Sequence, residues 1–554
     1  MPKNNGIKFD SYFKLPNPGL RSYFDIVKRG QPDEYRTVFA KGTPVQTVLK
    51  DWESTLVQIK DKWPSLFAFE NDLKAKVGPM SIMKPLSERM KDIDHYYEDV
   101  LLTSEPISEK ALKAVLSEFK DIKGFRVRPQ THTVEVMKKS TNSGSPYFTK
   151  RSKVLDKTLF CNVDSGVNSN TGTPFQILNT TTDYTVQNGL LPASDEQSTI
   201  YNCCAVLGWR GQEGGPKPKD VKQRVVWMFP FAVNICELQV YQPLIELAQK
   251  FNLVPAWISM EEVDRRITRM FDSKGANDLV VCTDFSKFDQ HFNHDMQEGA
   301  KYILSDLLSK DQHSKAWLKQ VFPIKYNIPL AYDMNKIRYG KHGMGSGSGG
   351  TNADETLAHR ALQYEAAQSV NQRLNPNSQC LGDDGVLTYP GITVEDVVRS
   401  YSRHGQEMNV DKQYASKQDC VYLRRWHHIN YRVDGVCVGV YSTYRALGRL
   451  MEQERYYDPT IWSSKMVALR QLSIIENVKY HPLRDQFAQF CMKRDKYRLG
   501  LDIPGFLDNI DSEAKKAMEL MPDFLGYTKT MQTNDGSNIG MSNWWIVKYL
   551  KSQR

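Results

Sequence analysis

At 554 residues the chain exceeds the roughly 250–300 at which a single hydrophobic core stops growing, so two or more structural units are expected. Hydrophobic residues at 40% against 25% charged exclude a disordered polyelectrolyte. The excess of 73 Lys and Arg over 64 Asp and Glu, a net charge of +9, suits a polyanionic partner without requiring one.

The opening MPKNNGIKFDSYF has no apolar h-region, and the longest apolar run, VVWMFPFAV, is too short to cross a bilayer and contains a proline; no membrane attachment is expected. Nine scattered cysteines, of which only Cys203 and Cys204 are adjacent, form no short metal or redox motif and read as reduced core residues of a cytosolic protein. No internal repeat or low-complexity tract is present. In chain order, apolar periodicity predicts helices over 45–63 and 106–120. Between Tyr147 and Pro218 the polar stretch with TGTP, NTTTDYT and GQEGGPKPKD predicts loops and short strands. Helices are expected over 235–250, 295–309 and 354–370, and strands at NDLVVCTDF, GVLTY and GVCVGVYSTY. Beyond Tyr444 the chain reads as helical, with a break at GLDIPGF and a loose tail from about Thr530. The fold class is α+β.

The stretch LGDDGV raises a chemical question, because adjacent carboxylates raise one another's pKa unless a cation or water compensates them. Gly382 and Gly385 supply turn freedom, which puts Asp383 and Asp384 at a hairpin tip, where both can face one cation. In DLVVCTDFSKFD, Asp284 closes a β-branched run at the exit of a buried strand. Two such strands can bring Asp284 and Asp383 together. Mg²⁺ takes oxygen ligands and is commonly held by one or two carboxylates plus substrate phosphates, and paired ions clamp the two oxygens of a phosphoryl displacement.

Two further segments point to phosphate. GMGSGSGGTNADETLAHRAL sets five glycines from Gly343 to Gly350 ahead of Thr351 and a helical pattern, a flexible loop opening a helix N-terminus, though not in P-loop register. Upstream, Lys217, Lys219, Lys222 and Arg224 precede an apolar run. In an extended strand Lys222 and Arg224 project on one side while the other side packs. That is a cationic edge for a triphosphate.

Taken together, SGSPY (143–147), KQRVV, DFSKFD, SGSGGT, GDD, and MNVDKQ ahead of YLRR stand in the order found in viral RNA-dependent RNA polymerases, over residues 140 to 425. The chain resembles that family, and most of all the polymerases of picobirnaviruses, which are double-stranded RNA viruses. The resemblance implies a right hand of fingers, palm and thumb, with an antiparallel palm sheet flanked by helices and a helical thumb. The implied boundaries are 1–65 for an N-terminal segment bridging fingers and thumb, 66–276 for fingers, 277–293 for the first catalytic palm strand, 294–340 for a fingers insertion, 341–436 for palm, and 437–554 for thumb with a C-terminal tail.

It implies that Asp284 and Asp383 bind metal with Asp384 assisting and the Phe285 carbonyl as a backbone ligand, and that Lys412 is the acid for the leaving pyrophosphate. Lys217, Lys219, Lys222, Arg224, Asp289, Ser346, Gly347, Thr351, Asn352 and Glu355 then form the nucleotide site, Asp289 sensing the ribose 2′-hydroxyl. Ser143, Gly144, Ser145, Pro146 and Tyr147 would guide template, and Tyr422, Leu423, Arg424 and Arg425 would flank the priming nucleotide. One departure stands out: the family carries Asn four positions after the Thr, where this chain has Glu355, with Asn352 earlier. Either residue, or a shifted register, could complete ribose selection, and Glu355 is expected to contact the Asp289 network indirectly.

The implied cofactor is Mg²⁺, with Mn²⁺ as a substitute. The implied partners are template and product RNA, nucleoside triphosphates and a viral capsid protein, and the location is the virion interior and host cytoplasm. The tail GSNIGMSNWWIVKYLKSQR reads either as a docked amphipathic terminus or as a plug in the product channel that supports primer-independent initiation. Rival readings are a reverse transcriptase, a metal-assisted nuclease, and a non-catalytic RNA-binding or capsid-associated protein.

Overall fold

The computed structural model describes residues 18–145, 147–159, 161–162, 167–168, 175–177, 201–333, 336–338, 340–520 and 540–554. Pro146, most of the polar stretch before Tyr201 and the tail over 521–539 therefore lie outside the described residues.

The centre is a four-stranded antiparallel sheet in the order Gln379–Leu381, Asp384–Leu387, Val280–Thr283, Tyr414–Ser416. Its period-2 alternation divides the apolar residues between two cores. Val281 and Leu387 face the largest core, while Val280, Cys282 and Val386 pack with Val263, Ile267 and Met270 of helix Met260–Ser273. On the first face lies helix Thr351–Gln368, buried along almost its whole length. Its alanines 353, 358, 361, 366 and 367 let neighbouring elements approach closely.

A second sheet joins Lys222–Met228, Ala205–Gln212, Leu330–Asp333 and Lys336–Arg338, with one parallel pairing between Ala205–Gln212 and Leu330–Asp333. A third, smaller antiparallel sheet runs Asp419–Tyr422, Arg425–His428, Val440–Tyr441. The second large core combines residues from both ends of the described chain. Val48, Leu49, Trp52, Leu66 and Phe69 pack with Leu447, Leu450, Leu472, Phe487 and Val547.

Most expected elements are present, with shifted limits. The helix expected over 45–63 ends as Val45–Leu56 plus a 3₁₀ turn to Ile59, because Pro64 starts a new helix, Pro64–Lys74, at its first position. That helix straddles the boundary expected at 65, and its buried Leu66, Phe69 and Glu70 side with the second core. GVCVGVYSTY yields only the strand Val440–Tyr441: Gly435 turns at φ +79, and the Arg425 guanidinium fills the space a side chain at 439 would need. Ala205–Gln212 is an eight-residue strand inside a stretch read as loops and short strands. Past Tyr444 the described chain is helical, and Trp545–Ser552 docks Ile546, Val547 and Leu550 into the second core. Cys204, Cys236, Cys282, Cys380, Cys420, Cys437 and Cys491 are buried. Among the described residues no helix is long and apolar enough to cross a membrane.

Candidate active site

The register of the central sheet sets the site. Thr283 pairs with Gly385, so the next residues outward, Asp284 and Asp384, stand opposite each other at the open end of the sheet. Leu381 pairs with Asp384, which leaves Gly382–Asp383 as a two-residue hairpin loop with Gly382 at φ +58. A glycine at the first loop position suits such a hairpin. Helix Thr351–Gln368 grips this turn from behind: the Thr356 hydroxyl accepts from the Gly382 amide at 2.9 Å, and His359 Nδ1 lies 2.8 Å from the Gly382 carbonyl. Burial lowers the His359 pKa to about 4, so the ring is neutral and donates its Nδ1 proton to that carbonyl. Phe285 is anchored beneath, stacked on Tyr401 at 5.7 Å and set edge-on to His359.

The carboxylates crowd one another. Asp383, exposed at the tip of the hairpin but set in a crowded cleft, is pushed above the usual carboxylate range first by desolvation, then by Asp289, with Asp284 adding to the effect and Arg224 opposing it. Asp384 is raised to about 7 by burial and by Asp383, although its Oδ2 accepts from the Leu423 amide at 2.8 Å. Among the described residues no three His, Cys, Asp or Glu side chains stand close enough to cage an ion unaided. The set fits a hard divalent cation in a different way: oxygen donors only, unneutralised negative charge, and coordination left for substrate phosphates.

Around this centre the predicted residues fall into distinct groups. Lys222 and Arg224 are exposed on one side of their strand while Val225 and Trp227 pack on the other. Both feel the acidic centre: Arg224 acts on Asp383, and Lys222 is influenced by Asp284. The Lys222 pKa is lowered by desolvation, then by Lys76 and Arg424. Lys217 and Lys219 sit farther out, exposed on the connection Glu213–Val221 between the two strands.

Asp289 hydrogen-bonds Glu355, whose pKa is driven well above the carboxylate range by burial, then by Asp289 and Asp383. Glu355 therefore meets Asp289 as a neutral acid able to donate. Asn352 is engaged elsewhere, its Oδ1 accepting from Trp257 Nε1 at 2.7 Å. Of the two residues left open by the sequence, Glu355 is the one that touches Asp289, directly rather than indirectly as expected.

The glycine-rich loop is held at several points. The Asp289 carbonyl accepts from Met344 N at 2.8 Å, Ser346 Oγ donates to the Val225 carbonyl at 3.2 Å, and the Thr351 hydroxyl donates to the Gly345 carbonyl at 3.2 Å. At Gly347 a Cβ would lie 1.6 Å from the Trp227 carbonyl, so only glycine fits. Two fully buried residues that the sequence reading missed complete the anchorage. Glu237 accepts from the Ser348 hydroxyl and from Gly349 N at 3.1 Å, and Lys325 pairs with Asp354 at 3.0 Å. An acidic residue within the apolar run NICELQV was the available signal for Glu237.

In the 143–147 loop Ser143 is tied to Phe231 N through its carbonyl at 2.8 Å, Gly144 turns at φ +63, Ser145 is buried, and Tyr147 packs beside Val134 and Phe231. In YLRR, Leu423 and Arg424 form a tight turn at φ +53 and +59. Arg424 faces a basic cluster with Arg445, Arg224 and Arg449, relieved by Glu213, and burial lowers its pKa to about 10. Tyr422 is buried, and Arg425 is bound bidentately by Asp264 at 2.9 and 3.2 Å, so its charge serves the fold. Lys412 is exposed in the turn Val410–Lys412 beside Asp284's strand.

A sheet that offers carboxylates at its open end, near a glycine loop and a cationic strand, suits an enzyme that handles phosphates through a divalent cation. The chain belongs to the viral RNA-dependent RNA polymerases, whose family model matches residues 102–437, more than half of its length and inclusive of Asp284, Asp289, Glu355, Asp383 and Asp384. Within that family it is 60% identical, over 550 residues and 99% of each chain, to a protein described as a potential RNA-dependent RNA polymerase of Human picobirnavirus (strain Human/Thailand/Hy005102/-). The crystal structure of the RNA-dependent RNA polymerase of a human picobirnavirus matches over 100% of both chains at 58% identity and a TM-score of 0.88. That of an insertion loop deletion mutant of such a polymerase matches, again over 100% of both chains, at 57% and 0.87. The protein is thus an RNA-directed RNA polymerase whose substrates are an RNA template and nucleoside triphosphates.

Proposed function

We propose that the chain replicates and transcribes a picobirnavirus double-stranded RNA genome by two-Mg²⁺ nucleotidyl transfer with primer-independent initiation. The observation that carries this reading is the register that sets Asp284 opposite Asp384 and beside the Gly382–Asp383 turn. Asp284, Asp383, Asp384 and the Phe285 carbonyl would hold the ions, with Mn²⁺ an acceptable substitute. When bound, the ions lower the pKa of the attacking hydroxyl and neutralise charge on the phosphates.

The chain's own groups supply the rest. A 3′-hydroxyl held over the Gly382–Asp383 turn forms a bond to the α-phosphate as the bond to pyrophosphate breaks. Lys222 and Arg224 balance the charge of the triphosphate, and Lys412 gives a proton to the departing pyrophosphate. Asp289 reads the ribose 2′-hydroxyl with the neutral acid of Glu355 beside it. Lys76, Arg424, Arg445 and Arg449 bring further positive charge to the same side of the cleft.

In the right-hand description, fingers are 66–276 and 294–340, palm 277–293 and 341–436, and thumb 437–554. Packing supports extending the bridging segment from 1–65 to about Val77, which shares the second core. Docking of Trp545–Ser552 favours the anchored reading of the terminus. The same reading includes a capsid protein as partner and places the enzyme in the virion interior and host cytoplasm.

The test is RNA synthesis on a single template with Mg²⁺, with and without primer. Asp383→Ala should abolish product while RNA binding survives, because phosphate contacts elsewhere carry the affinity. Loss of binding in step with activity, or equal use of GTP and dGTP by the wild type, would defeat this assignment.

A further inference from the structure

Asp284 sits where the central sheet stops being a sheet. The last backbone pair between its strand and Tyr414–Ser416 is Cys282 with Tyr414. Continued by two residues, that ladder would have paired Asp284 with Lys412. Instead the partner chain departs, runs through the 3₁₀ turn Val410–Lys412, and rejoins two residues beyond Asp284, where Ser286 N donates to the Glu407 carbonyl at 3.0 Å. The segment 408–413 is therefore an excursion closed at both ends by main-chain pairing, with Lys412 exposed on it.

One side chain bridges the gap. Asp284 N donates to Gln413 Oε1 at 2.7 Å, and Gln413 Nε2 donates to the Asp284 carbonyl at 2.8 Å. The same Nε2 donates to the Asn409 carbonyl at 2.9 Å, within the excursion itself. A carboxamide has the donor and acceptor of a peptide unit, so it can occupy both main-chain valences of Asp284 as a strand neighbour would. Unlike a strand neighbour, it does so from the end of a rotatable side chain.

We propose that Gln413 is a positioning residue that replaces the missing rung of the sheet at Asp284 and, through that bond, sets the placement of the Lys412 loop over the reaction centre. The proposal rests on the roles given above to Asp284 and Lys412. A backbone rung would lock residue 412 into the sheet with its side chain fixed by the pleat. The carboxamide holds the metal-binding residue's main chain while leaving Lys412 outside the sheet. It also ties the two, because Gln413 is the next residue along.

The experiment is single-nucleotide incorporation by full-length enzyme on a preformed primer–template, with Gln413→Met, Lys412→Leu and the double variant. Gln413→Met keeps the bulk of the side chain but neither hydrogen bond. Expected is a fall of about tenfold or more in the maximal rate, with little change in the KM for the nucleotide, as for a lost transition-state interaction. Because Gln413 acts through Lys412, the double variant should be no slower than Lys412→Leu alone, the mark of coupled residues. Gln413→Glu, which keeps the acceptor for Asp284 N and loses the donor, should fall between wild type and Gln413→Met.

A Gln413→Met rate within about twofold of wild type, a loss that merely tracks a lower melting temperature or weaker RNA binding, or losses that multiply in the double variant would each overturn the proposal. Failure of the wild type to extend the primer would instead strike the polymerase mechanism on which it rests.

Discussion

Removing the Glu70 carboxylate should unfasten the second core. Glu70 is fully buried on helix Pro64–Lys74 and reaches the start of helix Thr443–Met451, more than 370 residues away. It accepts from the Ser442 hydroxyl at 2.6 Å, the Thr443 hydroxyl at 2.7 Å, the amides of Thr443 and Tyr444 at 2.9 and 3.3 Å, and His481 Nε2 at 2.9 Å. Ser442 covers the third free amide, that of Arg445, at 3.1 Å. One buried carboxylate thus caps a helix and pairs a buried imidazole.

Glu70→Ala leaves those donors unpaired, and breaking such a buried charged network costs about 3–5 kcal/mol. At about 2–4 °C per kcal/mol for a unit of some 150–250 residues, the transition of this core should fall by roughly 6–20 °C. Differential scanning calorimetry, which separates transitions in a chain of this size, is the assay. A shift under about 2 °C would refute the reasoning, since it would correspond to no more than about 1 kcal/mol.

The pH dependence has a definite sign. Burial pushes the Glu70 pKa up, but the hydrogen bond and charge of His481, then Ser442 and the Thr443 amide, outweigh it and hold the group below its ordinary 4.5. A carboxylate depressed in the folded state stabilises fully above its unfolded pKa and loses that contribution as pH falls through the folded value. Wild type should therefore lose more stability on acidification below pH 4.5 than Glu70→Ala does.

Other expectations concern the active site. Glu355→Gln, which keeps a neutral donor beside Asp289, should retain ribonucleotide preference, whereas Glu355→Ala should relax the NTP over dNTP ratio by about tenfold, one hydrogen bond's worth of discrimination; competition between GTP and dGTP measures it. Thr356→Val removes the acceptor of the buried Gly382 amide and should cost about 1–3 kcal/mol in stability together with a slower incorporation rate, read by melting and single-turnover kinetics. Chelation of divalent ions at fixed ionic strength should stop elongation while RNA binding, followed by fluorescence anisotropy, is retained.

The parts of this molecule visible in the sequence are those whose chemistry is local. A β-branched run ending in Asp284 and a glycine-flanked Asp383–Asp384 pair announce a strand end and a hairpin tip within a few residues each, and the observed register joins them. The alternation of Lys222 and Arg224 with buried Val225 and Trp227 was legible for the same reason. What was hidden depends on partners far along the chain. Glu70 looks like an ordinary helical acid until Thr443 arrives beside it, and although its apolar run marks Glu237 as unusual, its partner Gly349 lies more than 100 residues away. Arg424 and Arg425 are indistinguishable in YLRR, yet one joins a basic cluster and the other is held by Asp264. Glu355 against Asn352 could be decided only by seeing which one Asp289 touches.

The shared packing of residues 39–77 with 426–550 bears on how the polypeptide is made. During synthesis the early helices emerge with Leu49, Trp52 and Leu66 unsheltered, and the surface that covers them is still roughly 350 residues from translation. At about 5–20 residues per second that interval lasts on the order of tens of seconds. A ribosome-bound fragment therefore displays a sticky apolar stripe for most of its elongation, a natural client for a holdase chaperone. Assembly of the second core from its early and late halves then makes synthesis of the late helices the event that shelters the stripe.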